Sequence, residues 1–188
     1  MKTRKFLATA VFAFTLLIGN ASFAQKGKTV RVGGAVMYPS KNIIENAMNS
    51  KVHTTLVAAV KAADLVETLQ SKGPFTVFAP TNAAFAKLPK GTVETLLKPE
   101  NKKLLQTILT YHVVSGKFNA SVIANLIKKG NGKAVLKTVS GGILTASMKG
   151  KKLYITDENG SAAKVTIADV NQSNGVIHVV DAVVTPKS

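Results

Sequence analysis

Gly73-Pro74-Phe75-Thr76-Val77-Phe78-Ala79-Pro80-Thr81-Asn82-Ala83-Ala84-Phe85 fits a turn, a strand and a helix start into one short stretch. Gly73-Pro74 turns the chain. Phe75-Thr76-Val77-Phe78 alternates aromatic and β-branched side chains, the pattern of a strand. Pro80 ends it, having no amide hydrogen for the ladder. Thr81 or Asn82 then caps a short helix carrying Ala84, Phe85 and Leu88, which Pro89 stops. Asn82 is also placed to reach a neighbouring loop.

Upstream of this stretch the pattern is helical. Ser40 or Asn42 is expected to cap a helix over Ile43, Ile44, Ala47 and Met48. Leu56, Val57 and Val60 share one helical face, but Leu65, Val66 and Leu69 fall on a shifted phase, so the chain must break near Asp64. Downstream, Thr92 is expected to cap a short helix with Glu94 in its first turn. Pro99 opens a longer helix with Leu104, Leu105, Ile108 and Leu109 as its core face.

Tyr111 to Val114 reads as extended and Ser121 to Ile127 as a small helix. Strands then cover residues 134–139, 143–148, 153–156, 163–167 and 176–184. Lys149-Gly150-Lys151 forms a hairpin loop, and Asp157 to Gly160 forms another turn. Helices crowd the first half and strands the second, an α+β arrangement.

Two further stretches belong with the first: Tyr111-His112-Val113-Val114, and Asn174-Gly175-Val176-Ile177-His178-Val179-Val180-Asp181. In this order and spacing the three resemble the signature motifs of the fasciclin (FAS1) family of extracellular adhesion domains, over roughly residues 42–186. The resemblance implies a wedge-shaped β-sandwich with several short helices in the N-terminal half. It accounts for residues 40–188 as a single FAS1-like domain, apart from a cleaved signal (1–24) and a polar lead-in (25–39) read from the residues alone. It also implies adhesion without catalysis. Within the family the Tyr-His pair is a hallmark, and residues near it have been implicated in receptor contact. Family members often carry glycine where this chain has Asp64, phenylalanine where it has His53, and an acid where it has Ala83.

The export signal rests on the residues themselves. Lys2, Arg4 and Lys5 precede an apolar run from Phe6 to Ile18, and Ala21-Ser22-Phe23-Ala24 offers small side chains for a cut after Ala24. The run is shorter than the ~20 residues of a membrane span. The expected mature protein is therefore secreted or periplasmic. There is no cysteine, so neither disulfides nor a lipidated N-terminal cysteine can contribute. Thr185-Pro186-Lys187-Ser188 carries no anchor signal. Residues 25–34 read as polar and mobile.

Of the net charge of +16, three positive charges leave with the signal, giving +13. No acid occurs between Glu100 and Asp157, while ten lysines lie there, from Lys102 to Lys152. Such a surface suits polyanions, whether acidic polysaccharide, anionic lipid headgroups or nucleic acid, or serves as a solvated face. Specific nucleic acid readout is disfavoured, because Arg31 is the only arginine after the signal and base and phosphate clamping favour the guanidinium fork.

His53, His112 and His178 lack metal-ligand spacing, so no metal and no other cofactor is expected. His112 stands at a helix-to-strand junction, where an imidazole can pin unsatisfied backbone groups or face a partner. Thr81, Asn82, Asn174, Gly175, His178 and Asp181 read as structural, with Asn174-Gly175 a turn and Asp181 a cap or pairing residue. No catalytic residue is assigned, since the nine acids form no obvious pair and no serine sits in a Gly-x-Ser-x-Gly setting. Asn119, Asn159 and Asn171 match the glycosylation acceptor pattern.

The reading is a non-catalytic adhesion or binding module. Its expected partner is a cell-surface or matrix protein or an acidic polysaccharide, with Tyr111, His112, Lys128, Lys129, Lys151 and Lys152 as candidate contacts. The alternative is a carrier of a small apolar ligand, a lipid or pigment, in a cleft between helices and sheet.

Overall fold

The computed structural model describes residues 27–187. The export signal and cleavage point lie outside the described residues. The chain opens with a hairpin of β1 (Val30–Val32) and β2 (Ala35–Met37), turned at Gly33-Gly34, both at positive φ. Three short helices follow: α1 (Ile43–Ala47), α2 (Thr54–Ala62) and α3 (Val66–Gln70). Asn42 caps α1 in a reciprocal box with Glu45. Asp64 breaks the chain between α2 and α3 in the left-handed region, at φ 53°.

Next come β3 (Phe75–Pro80), α4 (Asn82–Phe85), α5 (Thr92–Leu96) and, after a 3-10 turn at Pro99–Asn101, α6 (Lys102–Tyr111). β4 (Val113–Ser115) and α7 (Ala120–Lys129) lead into the strand-rich half. This comprises β5 (Lys133–Lys137), β6 (Ile143–Lys149), β7 (Lys152–Thr156), β8 (Ala162–Gln172) and β9 (Gly175–Val180). The arrangement is α+β.

Seven strands form one sheet in the order β4-β3-β9-β8-β7-β6-β5. Only β3 and β9 run parallel. β8 joins the two halves and is kinked by irregularities between Val165 and Val170, where Asp169 adopts φ 59°. Such bulges bend a strand and increase its twist. The sheet therefore curls until its edges meet. Val114 bridges to Thr138, and the Val139 N–H donates to the Val113 carbonyl at 2.8 Å.

Two cores result. Phe78, Tyr111, Ile123, Ile127, Leu144, Ile155 and Val180 fill the inside of the curl. Ile43, Leu56, Val60, Val77, Leu109, Ile177 and Val179 fill the space between β3, β9 and the helices. β9 is buried on both faces and serves both cores by its period of two: Ile177 and Val179 face the helices, while His178 stacks on Phe78 and Val180 faces the curl.

The structure departs from the sequence reading at several points. The lead-in is a hairpin from Val30, with Val32 and Met37 each 1% exposed in the helical core. Two strands of three residues are too short to show a period. α6 continues through Tyr111, and extended structure begins only at Val113. Leu104, assigned to the core face, is 52% exposed. α7 reaches Lys129, and β8 extends to Gln172, well past residue 167.

Candidate functional site

The signature residues form a web of hydrogen bonds. Thr81 caps α4, its Oγ1 accepting from the Ala84 N–H at 3.2 Å. Asn82 turns its side chain to α2: Oδ1 accepts from the Thr55 N–H, and Nδ2 donates to the Lys51 carbonyl and Thr54 Oγ1. Asn174 links three segments. Its Oδ1 accepts from the Ile43 N–H at 3.0 Å, and its Nδ2 donates to the carbonyls of Leu69 and Ser71. Gly175 lies opposite Phe75, so close that a Cβ would stand 2.0 Å from the Phe75 carbonyl oxygen. Asp181 holds the end of β9 to β8, with Oδ1 accepting from the Lys164 N–H at 2.8 Å and Oδ2 3.9 Å from the Lys164 ammonium.

The Tyr-His pair is internal. Tyr111 is 0% and His112 3% exposed. The sequence offers both as candidate adhesive contacts, but buried side chains present a partner no surface. The Tyr111 hydroxyl donates to the Ile143 carbonyl at 2.6 Å and accepts from the Glu158 N–H at 3.2 Å. Burial pushes its pKa up to about 12. His112 Nδ1 donates to the Ile108 carbonyl at 2.8 Å, and Nε2 accepts from the Val184 N–H at 3.2 Å.

His178 uses its nitrogens the other way round: Nε2 donates to the Phe118 carbonyl at 2.8 Å, and Nδ1 accepts from the Asp169 N–H at 3.4 Å. These tautomers follow from the partners, since a backbone N–H can only donate and a carbonyl only accept. His53 Nδ1 meets Ser50 Oγ at 2.9 Å, while its buried Nε2 has no hydrogen-bond partner among the described residues. Burial lowers the pKa of all three imidazoles, that of His112 to about 4. His53 and His112 both line the apolar cavity between helices and sheet, but among the described residues no cluster of three or more His, Asp or Glu could hold a metal ion.

The cleft read as a carrier site is a cavity between helices and sheet, lined by Ile44, His53, Leu56, Val60, Val77 and Ile177 among others. Its volume is about 30 Å³. Ligand pockets run to roughly 300–1,000 Å³, so a lipid or pigment has no room in this conformation.

The lysines remain. Among the described residues only Lys102 and Lys164 lie within ion-pairing distance of a carboxylate, those of Asp64 and Asp181. Lys151 sits in the β6–β7 hairpin and Lys152 opens β7. With Lys164, Met148 and Ala120 they border a surface hollow of about 440 Å³. Lys128 and Lys129 end α7, where the helix dipole favours cations. That end is about 13 Å along the helix from Ala120 at 1.5 Å per helical residue, and neither Lys128 nor Lys129 borders the hollow.

Sequence reasoning missed three polar braces. Buried Asn46 bonds both backbone groups of Tyr38 and the side chain of Gln172. Asp157 gathers the amides of Asn159, Ser161 and Thr185. Asp169 accepts from the Ala120 N–H at 2.6 Å, at the first residue of α7. Their long-range partners left no local signal, although the Asp157-x-Asn159-Gly160 turn itself was legible.

Among the described residues, no helix is long and apolar enough to cross a membrane. Residues 51–186 match the family model described as the fasciclin domain. Protein sll1483 of Synechocystis sp. is 44% identical over 188 residues, covering 95% of this chain and 97% of its own. Immunogenic protein MPB70 of Mycobacterium bovis is 37% identical over 145 residues, covering 74% of this chain and 66% of its own. A solved structure, a FAS1 domain pair from the insect cell adhesion molecule fasciclin I, superposes with a TM-score of 0.68 at 17% identity. That match covers 77% of this chain and 51% of the other.

Proposed function

Because this chain belongs to the fasciclin domain family, we propose that it is a non-catalytic binding and adhesion module acting outside the cytoplasm. Its partner is a cell-surface or matrix protein or an acidic polysaccharide. One structural neighbour comes from a protein described as a cell adhesion molecule, which supports this reading. The basic start and the apolar run from Phe6 to Ile18, read as an export signal, support placement outside the cytoplasm.

The observation that carries the proposal is the surplus of lysines without carboxylate partners in the strand-rich half. An exposed ion pair contributes about 1 kcal/mol or less, so affinity comes from several pairings together and falls as salt screens them. The test is retention of the signal-free protein on immobilised dextran sulfate and on neutral dextran at low and high salt. Retention on the sulfated matrix alone, lost as salt rises, is the expected result. Equal retention on both matrices, or retention indifferent to salt, refutes the electrostatic mechanism.

A further inference from the structure

Building on that reading, we propose that the outer face of β5, β6, β7 and the start of β8 docks a linear acidic polysaccharide laid across the strands over Tyr154. Alternation assigns the two faces. Ala134, Leu136, Leu144, Ala146, Leu153, Ile155 and Ala163 point into the core inside the curl. The intervening residues point outward.

The pairing register arranges those outward residues in rows. Lys133, Ser147, Tyr154 and Lys164 lie side by side across four strands. Strands lie ~4.8 Å apart, so the row spans about 15 Å. On one side Lys149 faces Lys152 at the mouth of the hairpin. On the other lies the row Val135, Thr145, Thr156 and Ala162, and beyond it Lys137 faces Ile143. No acid occurs on β5, β6 or β7, and Asp181 engages only the marginal Lys164.

Three features select the ligand class. The ammonium groups are separated by hydroxyls of Ser147, Thr145 and Thr156, which suits a chain whose charges alternate with hydroxyl-bearing rings. The Lys149 ammonium stands 5.0 Å from the centroid of the Tyr154 ring, so the aromatic partly orders that cation before a ligand arrives. Val135, 68% exposed, adds apolar surface for the C–H faces of sugars. The face has no arginine, which phosphate clamping would favour. It also has no Trp, Phe or Leu wedge of the kind that inserts at a lipid interface.

The test titrates labelled alginate, a linear polyuronate, against the signal-free protein. The face variant is Lys133→Gln/Lys149→Gln/Lys152→Gln. Its equal-charge control is Lys90→Gln/Lys98→Gln/Lys103→Gln, three exposed lysines off the face. Tyr154→Thr removes the ring while keeping strand propensity and charge. Unfolding midpoints establish that each variant is folded. Single-stranded DNA and phosphatidylglycerol vesicles serve as rival ligands.

The face variant is expected to bind alginate on the order of tenfold more weakly and the control within about twofold of the parent. Tyr154→Thr should lose affinity several-fold without any change in net charge. Equal losses in face and control variants overturn the proposal, as does a Tyr154→Thr protein that binds like the parent. Tighter binding of DNA or vesicles than of alginate through this face also overturns it. Alginate binding that survives all face variants removes this site but leaves the broader binding function standing. No polyanion binding by the parent removes both.

Discussion

The Val184 backbone N–H donates to His112 Nε2 at 3.2 Å, tying the end of α6 to a segment 72 residues further along the chain. The other ring nitrogen is engaged by the Ile108 carbonyl. A neutral imidazole meets both demands, one donor and one acceptor, whereas an imidazolium has no acceptor to offer Val184. The pair of bonds therefore defines a protonation state as well as a contact.

Acid should weaken the fold through this group. The unfolded imidazole titrates near 6.5 and the folded one near 4, so the unfolded chain binds the proton first as pH falls. Stability attributable to His112 is full above pH 6.5 and is lost between there and pH 4, on the order of 3 kcal/mol in total. His53 and His178 are lowered in the same direction and steepen the decline. Denaturant unfolding measured from pH 7.5 to 4.5 should show this fall, and His112→Gln should flatten part of it. A parent protein equally stable across the range would contradict it.

Tyr111→Phe removes a hydroxyl that serves two backbone groups, the Ile143 carbonyl and the Glu158 N–H. The ring stays packed, so the loss should be about 1–3 kcal/mol, the range for leaving buried polar groups unpaired. Thermal and denaturant unfolding check it.

Gly175→Ala should be far more damaging. The added methyl would meet the Phe75 carbonyl oxygen in the parallel pairing of β3 with β9, and backbone cannot step aside as a side chain does. A loss above ~3 kcal/mol, or failure to fold, is expected. Expression yield and unfolding midpoint give the answer.

Asp64 offers the opposite sign. Its φ of 53° strains any residue with a Cβ. Asp64→Gly should be neutral or stabilising by up to ~1 kcal/mol, while Asp64→Ala should cost about that much. The exposed pairing with Lys102 is lost in both variants, so it cancels in the comparison.

Local chemistry was readable from the sequence wherever one stretch carried its own cue. The break at Asp64 followed from a phase shift, the cap at Thr81 from a proline-terminated strand, and the two faces of β9 from its period. What failed depended on partners distant in the chain. Leu104 lies outside the core because the buried stripe of α6, with Leu105 and Leu109, is narrower than the run of leucines implies. Asp169 sits within the second irregularity of β8, and its partner Ala120 lies 49 residues away in the chain.

The candidate site divided in the same way. An excess of lysine was visible in composition, but its grouping was not. Strand register brings Lys133, Lys149 and Lys152 around Tyr154, whereas Lys128 and Lys129 fall at the far end of α7. Tyr111 and His112, prominent as a motif, proved internal because α6 delivers them into the structure instead of onto an edge.

The most direct measurement sets bracing apart from recognition: the unfolding free energy and dextran sulfate affinity of His112→Ala, taken on the same folded sample at pH 7.5. The account predicts a loss of about 2–3 kcal/mol in stability from the cavity and the unpaired backbone groups, with affinity unchanged. Undiminished stability together with lost binding would contradict it, placing recognition at the Tyr-His segment itself.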